Sequence, residues 1–297
     1  MKINDSRKVF TNTFSSYKKQ HVIKELTNSL YYQKKEDCFL WTAELLCSNC
    51  IVELWDVYIE FMCKYTHVNN PKIPIYIYKK FMEFKDVANK INNDLDLRND
   101  DTIRVLFFSI SIILCTSKRD CILDIPVFNF NFGIDKMYSN LKAPNVSYIQ
   151  PFFRDGDPKE YYIPLNELAY HLKESKNKMD MFYWVEWIIN YDVLLLKNKK
   201  QLQCLKRENA INTNIIWVIW EILLSFKDKH PIDCLFNLFS IKYKTNKKKK
   251  CLIYLSIMYL ITPIDYKIPI LDNISILKTL EESINTTFEQ IKKKEIS

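Results

Sequence analysis

FLWTAELLCSNCIVELWDVYIEFMCKYTHVNNPKIPIYIYKKFMEFKDVANK, residues 39–90, contains the densest helical pattern in the chain. Apolar side chains recur in it every three or four positions, at Trp41, Leu45, Leu46, Leu54, Trp55, Tyr58, Ile59 and Met62. Charged side chains fall between them, at Glu53, Asp56, Glu60 and Lys64. An apolar stripe at this spacing, opposite a charged face, predicts amphipathic α-helices.

Two interruptions divide this stretch. A short polar break at Ser48–Asn49 separates the first helix from the second. The sequence Asn69–Asn70–Pro71 ends the second helix, because proline disfavours the helical conformation in the residue before it. Pro74 suits the first turn of the next helix, where a missing N–H costs nothing. The stretch therefore predicts three helices with a turn over residues 69–74.

Glycine is scarce throughout the chain. The 297 residues include only Gly133 and Gly156, whereas proteins average roughly 7% glycine. Hairpin turns, phosphate-binding loops and dinucleotide-binding turns need glycine for positive φ or for close backbone approach. This composition disfavours an all-β fold and a nucleotide-binding α/β fold. We predict an all-α protein of two helical blocks.

Composition divides the chain into four segments. Residues 1–38 form a polar amino-terminal arm with one helix near residues 17–32, and residues 39–125 form the first helical block. Residues 126–164 hold both glycines, half of the ten prolines and many aromatic residues, which indicates an ordered connecting segment. Within it, the alternation over residues 127–132 favours a short strand or an extended segment. Residues 165–297 form a second helical block, with a lysine-rich loop at residues 242–250.

Three apolar runs, at residues 105–115, 215–226 and 251–261, raise the question of a membrane span. Each run is well short of the roughly 20 residues that a spanning helix needs. We interpret all three as buried core helices, and we expect no membrane partner.

Positive charge is concentrated late in the chain. The net charge is +8, and residues 195–250 hold 13 lysines and arginines but only 4 acids. The candidates for contact with DNA phosphates are Lys199, Lys200, Lys247, Lys248, Lys249 and Lys250. A solvated loop between helices is the alternative. The abundance of Lys, Asn, Ile, Tyr and Phe suggests an AT-rich genome, which raises lysine content for reasons unrelated to binding.

One cysteine and histidine spacing matches a small zinc module. Its candidate ligands are Cys47, Cys50, Cys63 and His67. However, residues 51–66 are predicted to be one helix, which places Cys50 and Cys63 about 20 Å apart at ~1.5 Å per residue. The favoured interpretation is therefore structural thiols, with no metal and no cofactor.

The nine cysteines show no disulfide framework, and the amino end MKINDSRKVF lacks the apolar core of a signal peptide. We expect a reducing compartment, the cytoplasm or nucleus, and no secretion.

Catalytic signatures are missing from the sequence. It contains no phosphate-binding loop, nucleophile elbow or metalloprotease motif. His21, His171 and His230 stand apart from any Ser, Cys or carboxylate pattern that marks catalysis, and paired aspartates fall in predicted turns. We therefore predict a protein that is not an enzyme.

Residues 39–118 resemble the helical collar domain that follows the ATPase core in clamp loaders and related AAA+ proteins. The matching features are Trp41, Ala43 and Leu45–Leu46, the long helix after the break, and Asn69–Asn70–Pro71 where the family has an Ala-Asp-Pro type of turn. Thr116–Ser117–Lys118 falls where a later family helix ends in Pro-Lys-Ser. The family's glycine after the first helix is replaced here by Ser48–Asn49, and nothing upstream corresponds to the ATPase. The same stretch is similar to uncharacterised proteins of large nucleocytoplasmic DNA viruses.

In clamp loaders the collar holds subunits together, so the resemblance implies an assembly or adaptor role. The leading hypothesis is a non-enzymatic replication accessory or scaffold protein of a large DNA virus, with replication-complex subunits as protein partners and an additional contact with DNA. The alternative is a virion structural protein, either a minor capsid or a core component. A third hypothesis is an unfamiliar enzyme whose site the sequence does not display. The sequence does not indicate the oligomeric state.

Overall fold

A computed structural model describes residues 2–7, 11–120, 122–123, 125, 127–130, 132, 137–226, 230–243, 250–272 and 279–295 of the chain. These residues form helices and loops without a β-strand, apart from one isolated bridge between Asn12 and Lys18. The prediction of an all-α fold is confirmed. The α-helices are α1 (Lys19–Tyr31), α2 (Lys35–Cys47), α3 (Ile51–Phe61), α4 (Ile73–Ala88), α5 (Asp94–Asn99), α6 (Asp101–Thr116), α7 (Tyr162–Tyr170), α8 (Lys178–Lys197), α9 (Ile216–Leu224), α10 (His230–Tyr243), α11 (Cys251–Ile261) and α12 (Leu280–Lys292).

The stretch from residue 39 to residue 90 folds as three helices, α2 to α4, with the predicted break and turn between them. At the break, Asn49 adopts a left-handed conformation with φ 56°, the role that glycine usually fills at a helix end. Pro74 lies in the first turn of α4. One detail was not predicted: α3 continues into a wider π-helical turn, Met62–Thr66.

The chain divides into two compact units. Unit 1 comprises Met1–Leu123 and Asp265–Ser297, and unit 2 comprises Asp124–Ile264. This grouping differs from the four segments drawn from composition. The amino-terminal residues and the carboxy-terminal helix α12 both join the first block, and the connecting segment belongs to unit 2.

Unit 1 is organised around α2, which packs against α1, α3, α6 and α12. The helix α12 joins this unit because its apolar side chains, Ile284, Phe288 and Ile291, are buried on α2 and α6. Phe288 contacts the ring of Phe108, and the guanidinium of Arg104 lies 4.0 Å from the centroid of the Phe288 ring. An amphipathic helix far along the chain thereby completes the first core.

The amino-terminal arm is tied to unit 1 by hydrogen bonds as well as by burial. The side chain of Asn99 accepts from the N–H of Ile3 (2.8 Å) and donates to its carbonyl (2.9 Å). Arg98 donates to the carbonyl of Asp5, and Glu295 accepts from the N–H of Asp5 at 2.9 Å. These bonds bring both ends of the described chain to one helical body.

In unit 2, α8 packs against α7 and α11, and α9 packs against α10 and α11. The predicted core helices at residues 105–115, 215–226 and 251–261 correspond to α6, α9 and α11, whose side chains are mostly buried. No helix in the described ranges is long and apolar enough to cross a membrane.

Three phenylalanines at the start of the connecting segment pack on α8. The rings of Phe128 and Phe130 both contact Tyr183, and the ring of Phe132 contacts Trp187 and Tyr191. The alternating phenylalanines therefore pack against a stripe of aromatic side chains on α8. Residues 127–130 and 132 form no strand.

Candidate nucleic-acid interface

The structure separates the six candidate lysines. Lys199 and Lys200 are exposed just beyond the end of α8. Lys250 precedes α11 and forms an ion pair with Glu186, 2.5 Å between Nζ and Oε1. Because Glu186 already neutralises it, Lys250 is a weaker candidate for a phosphate contact. Lys247, Lys248 and Lys249 lie outside the described residues.

Two lysines that were not singled out in the sequence join Lys199 and Lys200. Lys197 and Lys206 are also exposed, and we call residues 197–206 the basic loop. In the described part of the chain, no carboxylate lies within ion-pair distance of these four ammonium groups. The closeness of these four lysines in the sequence could have suggested that they form one group. Their exposure depends on the fold and could not be read from the sequence.

The basic loop is held by a buried ion cluster around Arg207. The Arg207 guanidinium pairs with Asp157 (Nη1 to Oδ1, 2.9 Å) and with Glu221 of α9 (Nε to Oε2, 2.7 Å). It also donates to the carbonyl of Phe152 at 3.0 Å. Arg207 thus joins the turn at residues 154–157, the basic loop and α9. Asp157 completes the attachment by accepting from the N–H of Leu205 at 2.9 Å.

Electrostatics keep the Asp157 carboxyl ionised. Burial alone would raise its pKa, but hydrogen bonds from the Arg207 side chain and from the N–H groups of Arg154 and Leu205 outweigh burial. The pKa of Asp157 therefore lies below its usual value. Gly156 in the same turn has φ +102°, a conformation that side chains rarely adopt, so this turn needs one of the two glycines.

Charge is distributed unequally between the units. Unit 2 contains 20 lysines and arginines against 14 acids, whereas unit 1 contains 23 against 21. Most of the net charge of +8 therefore belongs to unit 2. An exposed surface with excess positive charge attracts polyanions such as nucleic acid.

A groove of about 580 Å³ lies on unit 2. We call it the aromatic groove, because Tyr148, Phe152 and Phe226 line it. A second hollow of about 360 Å³ shares Pro151, Phe152 and Ser225 with it and reaches Arg207. The aromatic density near residue 150 is visible in the sequence, but the sequence does not indicate that residues 222–226 line the same groove.

The zinc candidates do not form a metal site. Cys47 and Cys50 flank the break before α3, whereas Cys63 and His67 lie beyond the other end of that helix. The described residues contain no group of three or more His, Cys, Asp or Glu side chains that could hold a metal ion. Burial raises the pKa of the Cys50 thiol to about 11, as expected of a thiol in apolar surroundings.

Sequence reasoning missed one polar cluster. His171 is fully buried, with Nδ1 2.5 Å from Ser175 Oγ and Nε2 3.6 Å from Glu167 Oε2. The set of Ser, His and Glu resembles that of a hydrolytic triad. However, Glu167 is occupied by the N–H groups of Lys142 and Ala143, so we interpret the cluster as a tether for residues 142–143. The signal was the spacing of four residues on one helix face.

No known protein family, curated protein or solved structure matches the chain. The resemblance of residues 39–118 to the clamp-loader collar therefore stays a prediction.

Proposed function

We propose that the protein is a non-enzymatic accessory or scaffold protein of DNA replication in a large DNA virus, and that unit 2 contacts DNA. The observation that carries this proposal is the group of four exposed lysines on the basic loop, Lys197, Lys199, Lys200 and Lys206. The buried Arg207 cluster fixes this loop, so the positive charges hold a defined position on unit 2. Lysines that face solvent in this way suit phosphate contacts without base specificity.

The scaffold part of the proposal rests on unit 1. It is supported by the resemblance of residues 39–118 to the clamp-loader collar and by the helical fold of these residues. At the end of α1, Tyr31 and Tyr32 are exposed, Tyr32 by 66%, and the ring of Tyr31 contacts Tyr65. Tyrosines are enriched where proteins bind one another, so this cluster is the protein-binding surface we propose on unit 1.

DNA contact is tested by measuring affinity for duplex DNA over a series of salt concentrations. We expect K199A/K200A to weaken binding and to reduce the slope of log affinity against log salt by about one for each phosphate that is no longer neutralised. Lys90→Ala is the matched control, because Lys90 is exposed on unit 1. Equal weakening of DNA binding by Lys90→Ala, or no measurable DNA binding at low salt, would contradict DNA contact by the basic loop.

The replication role is tested by recovering the tagged protein from infected cells and identifying its partners by mass. We expect polymerase, clamp or clamp-loader subunits, and we expect Y31A/Y32A to lose them while Tyr138→Ala keeps them. Tyr138 is a suitable control because it is 64% exposed on unit 2. Recovery of capsid or core proteins alone would contradict the replication role and favour a virion structural protein.

A further inference from the structure

The aromatic groove combines flat rings with ammonium groups. Tyr148 lines it, and so does Phe226, which follows the end of α9. The Nζ of Lys173 is 5.8 Å from the centroid of the Tyr148 ring. The Nζ of Lys176 is 5.5 Å from the centroid of the Phe226 ring. Each ring therefore has a lysine over its face, in a cation–π contact.

The arrangement of these lysines follows from the local backbone. After α7 the chain makes a wider π-helical turn, His171–Ser175, which ends at Lys176 with φ 55°. Lys176 also donates to the carbonyl of Leu172. Both lysines are exposed. Lys173 and Glu174 line the groove, and Lys176 reaches it through the ring of Phe226. An ammonium group therefore lies beside each of the two rings.

We propose that the aromatic groove binds single-stranded DNA, with unpaired bases stacked on Tyr148 and Phe226 and with phosphates held by Lys173 and Lys176. This inference rests on the proposed function, since it assigns the kind of DNA that unit 2 contacts. Stacking on aromatic rings next to basic side chains is how proteins hold single strands without reading sequence. A base that stacks on either ring displaces the lysine from the ring face. The displaced ammonium group then forms an ion pair with the phosphate of the same nucleotide.

The charge and the flat rings together select this occupant. A duplex hides its base faces within its own stack, so rings in a groove can stack only on unpaired bases. An apolar protein segment would fill the groove without using Lys173 or Lys176. An acidic segment would use the lysines but would gain less from flat rings than a base does.

The experiment compares binding of an oligothymidylate of about 15 nucleotides with binding of a duplex of equal length. The variants are Tyr148→Leu and Phe226→Leu, which keep apolar bulk but remove the flat ring. We expect each to weaken single-strand binding about tenfold and to leave duplex binding unchanged. Tyr138→Leu is the matched control, because Tyr138 is exposed on unit 2 outside the groove.

A second measurement does not depend on the stability of the variants. An oligonucleotide carrying halogenated uracil is cross-linked to the unmodified protein by light, and the attached peptides are identified by mass. We expect cross-links at residues 147–152 and 222–226. Cross-links only on the basic loop would overturn the groove proposal.

The outcomes also separate this inference from the proposed function. One possible result is that K199A/K200A weakens duplex binding while neither leucine variant changes single-strand binding. This result overturns the groove proposal and leaves DNA contact by the basic loop standing. Absence of any binding to DNA overturns both proposals. A clear preference for RNA of the same sequence, or for an acidic peptide, overturns single-stranded DNA as the occupant.

Discussion

At the scale of single residues, Arg207 joins the basic loop to the turn at residues 154–157 and to α9. Its guanidinium is buried and pairs with Asp157, which is also buried, and with Glu221, which is 28% exposed. We expect Arg207→Ala to lower the free energy of unfolding by about 3–5 kcal/mol, because it leaves a buried carboxylate without its partner. Urea unfolding of the purified variant measures this decrease.

Arg154 provides the matched control for this prediction. It pairs with the same Glu221 at 2.7 Å, but its side chain is 41% exposed. An exposed pair contributes under about 1 kcal/mol, so Arg154→Ala should be nearly neutral. Similar decreases in the two variants would show that burial of the Arg207 pair is not what stabilises the loop.

The lowered pKa of Asp157 predicts a pH dependence. A carboxyl whose pKa is lowered by folding stabilises the protein above its unfolded pKa of about 3.9, and this stabilisation is lost as pH falls through the folded pKa. We expect the difference in unfolding free energy between the unmodified protein and Arg207→Ala to shrink as pH falls below about 4. Urea unfolding at stepped pH measures it.

The control in this experiment is to follow the difference in unfolding free energy between the two proteins, and not the stability of either protein alone. Asp5 and Glu295 in unit 1 also have lowered pKa values, because hydrogen bonds outweigh their burial, and they destabilise both proteins equally in acid. A difference that stays constant from neutral pH to pH about 3 would contradict the assignment to Asp157.

At the scale of elements, several helices end without glycine. Gln33, Asn49 and Lys199 adopt left-handed conformations near φ 57°, just after α1, α2 and α8. In each case an N–H one residue later closes the helix end, as where Lys34 donates to the carbonyl of Ser29 at 3.0 Å. At each of these helix ends, a residue with a Cβ adopts the left-handed conformation despite its steric cost.

We expect Gln33→Gly to stabilise the protein by about 0.5–1 kcal/mol. Glycine removes the steric cost of the left-handed conformation, and its greater freedom in the unfolded chain offsets only part of the gain. Gln33 is exposed, so little packing is removed. Gln33→Ala keeps a Cβ and should bring no gain. Thermal unfolding of both variants checks this, and equal melting temperatures would contradict it.

The positions of the helices could largely be predicted from the sequence. Apolar periodicity placed α2 to α4, and Pro71 placed the turn before α4, because both signals act within a few residues. The wider turns at Met62–Thr66 and His171–Ser175 could not be predicted, since no residue type specifies them. The Arg207 pair was likewise hidden, because Asp157 lies 50 residues away along the chain.

At the scale of the whole molecule, each unit has its own core. Trp41 and Trp55 belong to unit 1, whereas Trp184, Trp187, Trp217 and Trp220 belong to unit 2. We expect Phe288→Ala to cost about 3–5 kcal/mol and to raise hydrogen exchange in peptides of unit 1, because Phe288 is buried on Phe108. Arg207→Ala should raise exchange in peptides of unit 2. Exchange that rises equally throughout the chain in either variant would contradict two separate cores.

The amino-acid sequence alone specifies an all-α protein, the break and the turn that separate α2, α3 and α4, and a basic region late in the chain. Those features depend on periodicity, proline and composition, which act locally. Three other features emerge only when the chain is folded: α12 completes the first unit, Phe128, Phe130 and Phe132 pack on α8, and Arg207 holds the basic loop. These pairings join residues far apart in the chain, and burial of surface between distant segments selects them, which no local pattern records.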